Sequence, residues 1–332
     1  MIGVLLAGFA GIGEQDHQSA MYLPAWQAQP DARIVGVVPT GDGDRATAQK
    51  VAAELDVPAH DDLDAALGHD AVELVSLAAP LERRVELVSA ALRAGKHVLA
   101  DKPLAATLDE VEKIASAQGD SLVVPALHQR FAAPLVSARA ALAAGRVGLP
   151  WNVQADFVVA GGTPAPSGEL LNLGVYPVDV LHALLGLDAT RVYARRGRYW
   201  NDAADDFVTL LIDYANGVTG TIVLGRTGPL DGVARAGLAR HRYRISGSHG
   251  VLDIDATKPA LRVRTADATS AGPASASVTT LIAQTCRAVS GGGAAPVGID
   301  DARHVHQVVD AANRSLASAR PEPVAAPGGD TR

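Results

Sequence analysis

Three short segments place side chains that could bind an anion, polarise an oxygen atom or exchange a proton. A glycine-rich segment, GFAGIG, occupies residues 8–13. The charged pair Asp101–Lys102 follows three apolar residues and precedes a proline. Asn172, Tyr176 and Asp179 are spaced four and three residues apart, so they share one face if the segment is helical. Together these residue types could hold a phosphate group and move protons on a second ligand.

The glycine-rich segment leaves an apolar run and enters a helical pattern, which is where a dinucleotide fingerprint lies in a βαβ unit. Glycines allow a tight turn, and N–H groups at the start of a helix can hold a pyrophosphate. Ala10 stands where a second glycine is usual, so its methyl group leaves less room between the backbone and a pyrophosphate. The predicted cofactor-binding residues of this segment are Gly8, Phe9, Ala10, Gly11 and Ile12.

The end of the second apolar run bears on which dinucleotide binds. An acidic residue is expected there to bind the adenine ribose hydroxyls, but the sequence has Pro39 and Thr40. Thr40 and Arg45 could accept a 2′-phosphate, whereas Asp42 and Asp44 either argue against one or are solvated turn residues. The sequence therefore predicts NAD or NADP as the cofactor, places Thr40 in its site and leaves the choice open.

Asp101 and Lys102 come at the end of a predicted strand. Ligands bind at the carboxyl ends of strands in open α/β sheets, so this pair is expected at the mouth of a cleft. Pro103 restricts Lys102 to extended backbone angles, and a lysine held there can stabilise negative charge on a substrate oxygen. We assign Lys102 to catalysis and to the binding of both cofactor and substrate, and we assign Asp101, Ala79 and Pro80 to cofactor binding. The alternative is that Lys102 is a surface lysine paired with Asp101.

The segment around Tyr176 is the predicted source of acid–base chemistry. A phenol has an ordinary pKa of about 10, so Tyr176 acts as a base only if a cation such as Lys102 favours phenolate, whereas acting as an acid needs less help. Asn172 supplies no charge and can only orient a ligand. We assign Asn172, Tyr176 and Asp179 to the catalytic group with Lys102. The alternatives are that Tyr176 is an amphipathic core residue and that Asp179 is a helix-surface charge or has a supporting role.

The elements that must position these residues change type along the chain. Short apolar runs alternate with helical patterns over the first 125 residues, which indicates repeated βαβ units and a parallel sheet with helices on both faces. Longer alternating strands follow from Trp151 and are typical of an antiparallel sheet, and Asn216-Gly217 between two of them predicts a hairpin turn with positive φ. The predicted domains are residues 1–125, residues 126–320 and a frayed tail at 321–332.

Composition excludes several classes of protein. The chain has 332 residues with 29 basic and 36 acidic side chains, and it has no basic cluster that could follow a nucleic-acid backbone. Cys286 is the single cysteine, which excludes an intramolecular disulfide. No apolar run reaches the length of a membrane span, and the N-terminus lacks the basic region of a signal peptide. We predict a cytoplasmic protein that binds neither membranes nor nucleic acid.

The histidines show no spacing that predicts a metal site. His182 and the pair His304 and His306 lack a recognisable third ligand, so packing or solvent exposure is the interpretation. His17 follows the glycine-rich segment and is interpreted as a helix-end residue rather than a catalyst. The prediction is therefore that the chain binds no metal.

Three ordered motifs resemble the glucose-fructose oxidoreductase/inositol dehydrogenase (Gfo/Idh/MocA) family. GKHVLADKPLA at residues 95–105 resembles the family's G-K-H-V-L-x-E-K-P-L segment, with Asp101 for the usual Glu. HQRF at residues 128–131 resembles N/H-x-R-F. GELLNLGVYPVD at residues 168–179 resembles G-x-L-x-D-x-G-x-H-x-x-D, with Asn172 and Tyr176 as departures.

This resemblance implies an α/β protein, with an N-terminal Rossmann doubly wound parallel sheet and a C-terminal α+β domain that has a large, mostly antiparallel open sheet. It also implies hydride transfer on a secondary alcohol or carbonyl of a sugar or cyclic polyol, and a homo-oligomer, dimer or tetramer. The substrate-binding residues would be Lys102, His128, Arg130, Asn172 and Tyr176. A non-catalytic dinucleotide-binding sensor and an NAD-dependent, non-redox glycoside-processing enzyme are the alternatives.

Overall fold

The computed structural model describes residues 1–12, 16–162, 164–199, 205–228, 237–257, 262–264, 269–271 and 275–325. The helices in this part of the chain are α1 Leu23–Gln27, α2 Arg45–Leu55, α3 Leu63–Leu67, α4 Leu81–Arg93, α5 Leu108–Ala117, α6 Ala133–Ala143, α7 Glu169–Asn172, α8 Val175–Leu185, α9 Ser275–Gly291 and α10 Ile299–Ser318. The strands are β1 Ile2–Ala7, β2 Ala32–Val38, β3 Leu74–Leu77, β4 His97–Ala100, β5 Val123–Pro125, β6 Pro150–Ala160, β7 Ala189–Gly197, β8 Phe207–Tyr214, β9 Thr219–Thr227, β10 Gly237–Gly247, β11 Gly250–Asp255, β12 Arg262–Arg264, β13 Thr269–Ala271 and β14 Glu322–Pro323.

The chain forms two compact units that are not the two contiguous domains predicted. The first unit joins Met1–His128 to Ser275–Arg303, and the second joins Gln129–Ala274 to His304–Arg332. The difference arises because α9, which the sequence analysis missed, packs against α1 and β1. The first unit is therefore completed by a segment that follows most of the second.

The predicted tail also differs from what the structure shows. Glu322 and Pro323 pair with Val192 and Arg191 of β7, which extends the second sheet by one short strand. Val324 is buried beside it. Of the segment predicted to be frayed, residues 321–325 are therefore fixed by strand pairing, and residues 326–332 lie outside the described part of the chain.

The first unit contains the predicted doubly wound parallel sheet, in the order β2-β1-β3-β4-β5. A parallel bridge between Val37 and Ala59 adds one residue pair beyond β2. Successive side chains of β3 point to opposite faces of the sheet. Val75 and Leu77 join the core that α3, α4 and α5 cover, whereas Ser76 accepts a hydrogen bond from the Trp26 indole of α1. The next strand in the chain, β2, lies on one side of β1, and β3 lies on the other side. The segment after β1 therefore lies at the position where such sheets bind ligands.

The second unit contains a seven-stranded sheet in the order β11-β10-β6-β9-β8-β7-β14. Most neighbours are antiparallel, as predicted, but β6 and β9 are parallel. A parallel pair needs a crossover connection, and here the chain between β6 and β9 passes through two helices and a hairpin strand pair. Helices α7 and α8 contact the sheet at β6, β8 and β9.

The hairpin between β8 and β9 contains the predicted positive-φ turn. Asn216 and Gly217 have φ of 66° and 78°. The loop is three residues long, since the N–H of Tyr214 donates to the carbonyl of Val218 across it. No described helix is both long enough and apolar enough to cross a membrane.

Candidate functional site

Gly8 ends β1 in a conformation that a side chain would disrupt. Its φ is 77°, and a Cβ placed there would lie 2.4 Å from the carbonyl oxygen of Ala78 and 2.7 Å from the hydroxyl oxygen of Thr40. Both conditions exclude other residues, because positive φ is costly for L residues and these neighbours are closely packed. The glycine thus allows the segment after β1 to pass between the ends of β2 and β3.

The first three N–H groups of this segment are already bound within the protein. Those of residues 8, 9 and 10 donate to the Val38 carbonyl at 2.9 Å, the Asp44 carboxylate at 3.1 Å and the Ala78 carbonyl at 3.1 Å. These contacts fix the turn at Gly8, Phe9 and Ala10, three of the residues predicted to bind a cofactor.

Asp44 joins the two loops at the cofactor end of the sheet. Besides the Phe9 N–H, its carboxylate accepts hydrogen bonds from the backbone N–H of Thr40 and of Gly41 and from the Thr40 hydroxyl, all at 3.1 or 3.2 Å. Asp44 is buried, whereas Asp42 is fully exposed. Of the two acidic residues interpreted as possible turn residues, only Asp42 is solvated, and Asp44 has no capacity left for a ribose.

A cavity of about 310 Å³ adjoins this loop, and Thr40, Arg45 and Arg83 line it together with acidic residues. The Arg83 guanidinium donates to the Thr40 carbonyl at 3.1 Å and pairs with Glu86 of the same helix. Arg45 lies 3.7 Å from the Asp42 carboxylate. Two guanidinium groups therefore line this cavity together with acidic side chains.

A buried network fixes the segment that carries Lys102. The Asp101 carboxylate accepts hydrogen bonds from His17 at 3.0 Å, from the Tyr22 hydroxyl at 2.5 Å and from Arg84 at 2.8 Å. Asp101 and Arg84 are both completely buried, and Lys102 itself is 4% exposed. Lys102 is thus not the surface lysine of the alternative interpretation.

Arg84 connects this network to the neighbouring backbone. Its guanidinium donates to the carbonyls of Ala79 and Asp101 at 2.8 Å and also to the carbonyl of Pro103. Three carbonyls and one carboxylate thereby hold a planar cation, so the ends of β3 and β4 are tied to each other. Ala79, predicted to bind the cofactor, contributes its carbonyl to this contact, and Pro80 begins α4 directly after it.

The charge on Asp101 is strongly favoured. Burial alone would raise the pKa of its carboxyl group, but His17, Arg84 and Lys102, in that order, hold the pKa well below its ordinary range. The carboxylate is therefore ionised throughout the physiological range. This anion in turn favours the charged form of a lysine beside it.

The predicted helix around Tyr176 is interrupted. Helix α7 ends at Asn172, and α8 begins at Val175, with Leu173 and Gly174 between them. A Cβ on Gly174 would lie 2.4 Å from the Leu170 carbonyl, so the break occurs where the chain packs too closely for a side chain. Asn172, Tyr176 and Asp179 therefore do not share one continuous helix face, although all three are buried.

Asn172 is oriented by a buried ion pair. Its amide N–H donates to Glu169 at 3.0 Å, and Glu169 pairs with Arg226 of β9 at 2.9 Å. Arg226 donates further to the Gly161 carbonyl at 2.7 Å. Glu169 and Arg226 are 0% and 4% exposed, so the pair fixes the amide of Asn172 within the interior of the second unit.

Tyr176 packs over aromatic residues of the sheet. Its ring centroid is 5.4 Å from that of Phe157 on β6, which in turn contacts His241 on β10. His241 is hydrogen-bonded to the Tyr243 hydroxyl at 3.0 Å, and burial lowers the pKa of His241 to about 4. Burial and the nearby Asp179 raise the pKa of Tyr243. The Phe157 ring that contacts Tyr176 therefore belongs to a buried cluster of neutral aromatic side chains.

Asp179 and Arg130 bind each other. The Arg130 Nε lies 2.9 Å from Asp179 Oδ2, and a second bond joins Nη2 to Oδ1. This bidentate pair stabilises an ionised carboxylate, which disfavours Asp179 as a proton carrier. His128 was also predicted to bind substrate, and one of its ring nitrogens is hydrogen-bonded to the Ser277 hydroxyl at 2.9 Å.

Comparisons with known proteins identify the family of this chain. Residues 2–124 match the model of the oxidoreductase family with an NAD-binding Rossmann fold, and residues 135–253 match the GFO/IDH/MocA C-terminal domain. The chain belongs to the GFO/IDH/MocA oxidoreductase family. The resemblance inferred from the three motifs is thereby confirmed, as is the fold that it implied.

Two curated relatives and one solved structure illustrate the range of this family. The chain is 33% identical over 198 residues to inositol 2-dehydrogenase 1 of Saccharopolyspora erythraea, covering 57% of this chain and 58% of that protein. It is 28% identical over 265 residues to dTDP-3,4-didehydro-2,6-dideoxy-α-D-glucose 3-reductase of Streptomyces antibioticus, covering 74% and 75%. GenD2 from gentamicin A biosynthesis, solved in complex with NAD, matches with a TM-score of 0.83 at 21% identity over 98% of this chain and 97% of that one. At this identity, the likeness to GenD2 shows the fold alone.

Within this GFO/IDH/MocA chain, the groups missed by sequence reasoning are the ones that hold the polar segments in place. The sequence analysis gave no role to Arg84, Tyr22 or Glu169, although Glu169 is part of the motif at residues 168–179. His17 was interpreted as a helix-end residue, and the structure adds a buried contact to Asp101. A signal existed for Arg84, since arginine on the apolar face of a helix needs a buried partner.

Replacing Asp101 with Asn should destabilise the first unit. The change keeps the shape but removes the negative charge that faces the fully buried Arg84. Breaking a buried pair costs about 3–5 kcal/mol, and we expect about 3 kcal/mol because three carbonyls still accept from Arg84. Urea denaturation would measure this loss.

The matched control is Asp42→Asn, which removes a fully exposed carboxylate from the same unit. Its unfolding midpoint should stay at that of the wild type. If Asp101→Asn were as stable as Asp42→Asn, the network would not be a determinant of the fold.

Proposed function

We propose that this protein is an NAD(P)-dependent oxidoreductase that transfers a hydride between nicotinamide and a secondary alcohol or carbonyl of a sugar or cyclic polyol. The main support for this proposal is that Lys102 is buried at a strand end, where the hydrogen-bond network of Asp101 fixes its backbone. Curated relatives include inositol 2-dehydrogenases and a dTDP-sugar 3-reductase, which supports a sugar-like ring as the substrate.

In the proposed mechanism the chain orients the substrate and moves one proton. Bound nicotinamide supplies the hydride acceptor or donor. On oxidation, the Lys102 ammonium would stabilise negative charge on the substrate oxygen and favour the phenolate form of Tyr176. The Tyr176 phenolate would accept the hydroxyl proton as the carbon gives up its hydride to the nicotinamide. On reduction, the Tyr176 phenol donates that proton. Asn172, oriented by Glu169, supplies hydrogen bonds without changing charge.

Asp179 has a positioning role in this proposal. Its bidentate contact with Arg130 joins α8, which carries Tyr176, to the segment after β5. Arg130 and His128 would then support the substrate pocket with contacts that they already make, rather than as isolated substrate ligands. This revises the catalytic assignment of Asp179 and keeps Lys102, Tyr176 and Asn172 as the reacting and orienting groups.

Cofactor choice follows from the loop after β2. The Asp44 carboxylate is occupied by loop contacts, and Pro39 supplies no carboxylate. The exposed Asp42 lies 3.7 Å from Arg45, so its charge is opposed by a cation and gives NAD no strong advantage. Arg83, anchored to the Thr40 carbonyl, and Arg45 would receive the 2′-phosphate of NADP. We therefore propose that both cofactors bind.

Removing the Arg83 guanidinium should distinguish the two cofactors. Arg83→Ala is expected to weaken NADP binding at least tenfold and to leave NAD binding nearly unchanged, because only NADP has a phosphate for this cation. Calorimetric titration of both cofactors measures the effect, with exposed Arg93→Ala on the same helix as the control. A wild type that prefers NAD more than about a hundredfold, roughly 2.7 kcal/mol, would contradict the assignment.

The catalytic roles predict a specific kinetic pattern. Lys102→Ala and Tyr176→Phe should each lower kcat by about 10² or more with cofactor affinity nearly intact, and the double variant should be little worse than the worse single one. Asn172→Ala should mainly raise KM. NAD(P)H absorbance on a panel of sugars and cyclic polyols would measure the rates.

Exposed Lys113→Ala and the phenol-removing Tyr193→Phe on β7 are the controls, and both should retain the wild-type kcat. Full activity in Tyr176→Phe would remove the phenol from the mechanism. Tight cofactor binding without turnover on any member of the panel would favour a dinucleotide sensor, and substrate conversion without net NAD(P)H change would favour a non-redox enzyme.

We also propose that the chain is a cytoplasmic homo-oligomer assembled through the open face of the seven-stranded sheet. On this face Arg242 and Arg244 pair with Asp255 and Asp253 of the adjacent strand, and Leu211 is half exposed. Such a mixed polar and apolar surface suits a second copy of the chain. Light scattering at the monomer mass of 34.1 kDa, or recovery of the protein outside the cytoplasmic fraction, would contradict this part of the proposal.

A further inference from the structure

Two histidines and one aspartate of the second unit converge away from the residues proposed for catalysis. His182 lies in the last turn of α8, Asp188 follows that helix, and His304 lies near the start of α10. One potential ligand atom from each lies within 4.8 Å of the other two. We propose that these three side chains form a binding site for a divalent transition metal of the zinc class.

The sequence analysis missed the third ligand because the turn after α8 brings it back. Gly186 ends the helix with φ of 63°, and its N–H donates to the carbonyl of His182 at 2.9 Å. This left-handed residue reverses the chain, so that Asp188 Oδ1 lies 3.8 Å from His182 Nδ1. His304 Nδ1 approaches the same oxygen at 3.6 Å.

These distances are too long for hydrogen bonds between the imidazoles and the carboxylate. His182 Nδ1 instead donates a hydrogen bond to the carbonyl of Leu187 at 3.2 Å. A metal ligand must be deprotonated, so this hydrogen bond breaks when His182 Nδ1 binds a metal. With both imidazoles neutral, the three side chains carry one negative charge. The C-terminal end of α8 adds partial negative charge, which also favours a bound cation.

The donor set selects the class of metal. Two imidazoles and a single carboxylate suit zinc, cobalt or nickel, whereas magnesium and calcium prefer oxygen ligands alone. In tetrahedral zinc sites with Zn–N of about 2.0–2.1 Å, ligand atoms lie about 3.3 Å apart. The separations of 3.6 and 3.8 Å from Asp188 therefore require movements of only about half an ångström.

One histidine must turn for both rings to face a shared ion. The rings of His182 and His304 are stacked with centroids 4.0 Å apart and planes inclined by 23°. The His304 side chain is 7% exposed and fixed by packing, but that of His182 is 25% exposed and has room to rotate. Asp188, at 53% exposure, leaves a path for the ion and for a water as the fourth ligand.

The expected consequence is structural. A metal held by these residues would join the C-terminal end of α8 to α10, and α8 is the helix that carries Tyr176 and Asp179. Because three ligands come from two helices and a loop, binding would stabilise the folded second unit over the unfolded chain. This inference does not depend on the proposed oxidoreductase activity.

Metal-free protein without a polyhistidine tag provides the test. Titration with Zn²⁺ by calorimetry should show one site per chain, Co²⁺ should give the visible absorption bands of a tetrahedral complex, and Zn²⁺ should raise the Tm. His182→Gln and Asp188→Asn should each weaken Zn²⁺ binding at least tenfold and abolish the Tm increase. Both residues are partly exposed, and Tm values of the metal-free variants would confirm that they fold.

His69→Gln is the matched control, since His69 belongs to another close histidine pair, with centroids 4.9 Å from His60. It should leave Zn²⁺ affinity unchanged. Absence of saturable Zn²⁺ binding would overturn the proposal. Binding that survives both His182→Gln and Asp188→Asn, or that is lost in His69→Gln, would equally overturn it by placing the metal elsewhere.

Discussion

The buried contact between Arg84 and Asp101 is the constraint on which the first unit's polar chemistry depends. A guanidinium and a carboxylate without solvent exposure are tolerable only when nearly all their hydrogen-bonding capacity is used, and here backbone carbonyls, His17 and Tyr22 use it. The contact leaves the β3 and β4 ends little freedom to move independently. Lys102 therefore projects from a rigid strand end rather than from a mobile loop.

The second unit also orients a polar side chain through a buried pair of opposite charges. Asn172 has no charge to fix its orientation, and the helix break beside it would otherwise leave it mobile. The ion pair between Glu169 and Arg226 anchors α7 to β9, and Glu169 also accepts a hydrogen bond from the Asn172 amide. In each unit, buried charges that take no part in the proposed reaction thus orient residues proposed for the active site.

The sequence predicted the fold more fully than the site, for physical reasons. Apolar runs predict strands at residues 2–7 and 97–100, and helical spacing predicts helices at residues 45–55 and 299–318; these are the bounds of β1, β4, α2 and α10. Burial on parallel strands and on amphipathic helices leaves such a local pattern. The helix break at Gly174 and the contact between Arg130 and Asp179 depend on packing between distant segments, which no local pattern records. Motif positions indicated candidate polar residues, but not which of them bind each other.

The return of residues 275–303 to the first unit has a consequence for how the protein is made. During synthesis the ribosome releases the five strands of the parallel sheet early, but α9, which covers part of β1 and packs on α1, emerges only after most of the second unit. The apolar surface that α9 covers therefore stays exposed, or is bound by a chaperone, while more than a hundred further residues are translated. The order of translation and the order of assembly are uncoupled in this chain, and a nascent product that stops before Ser275 would retain an open flank on its first sheet.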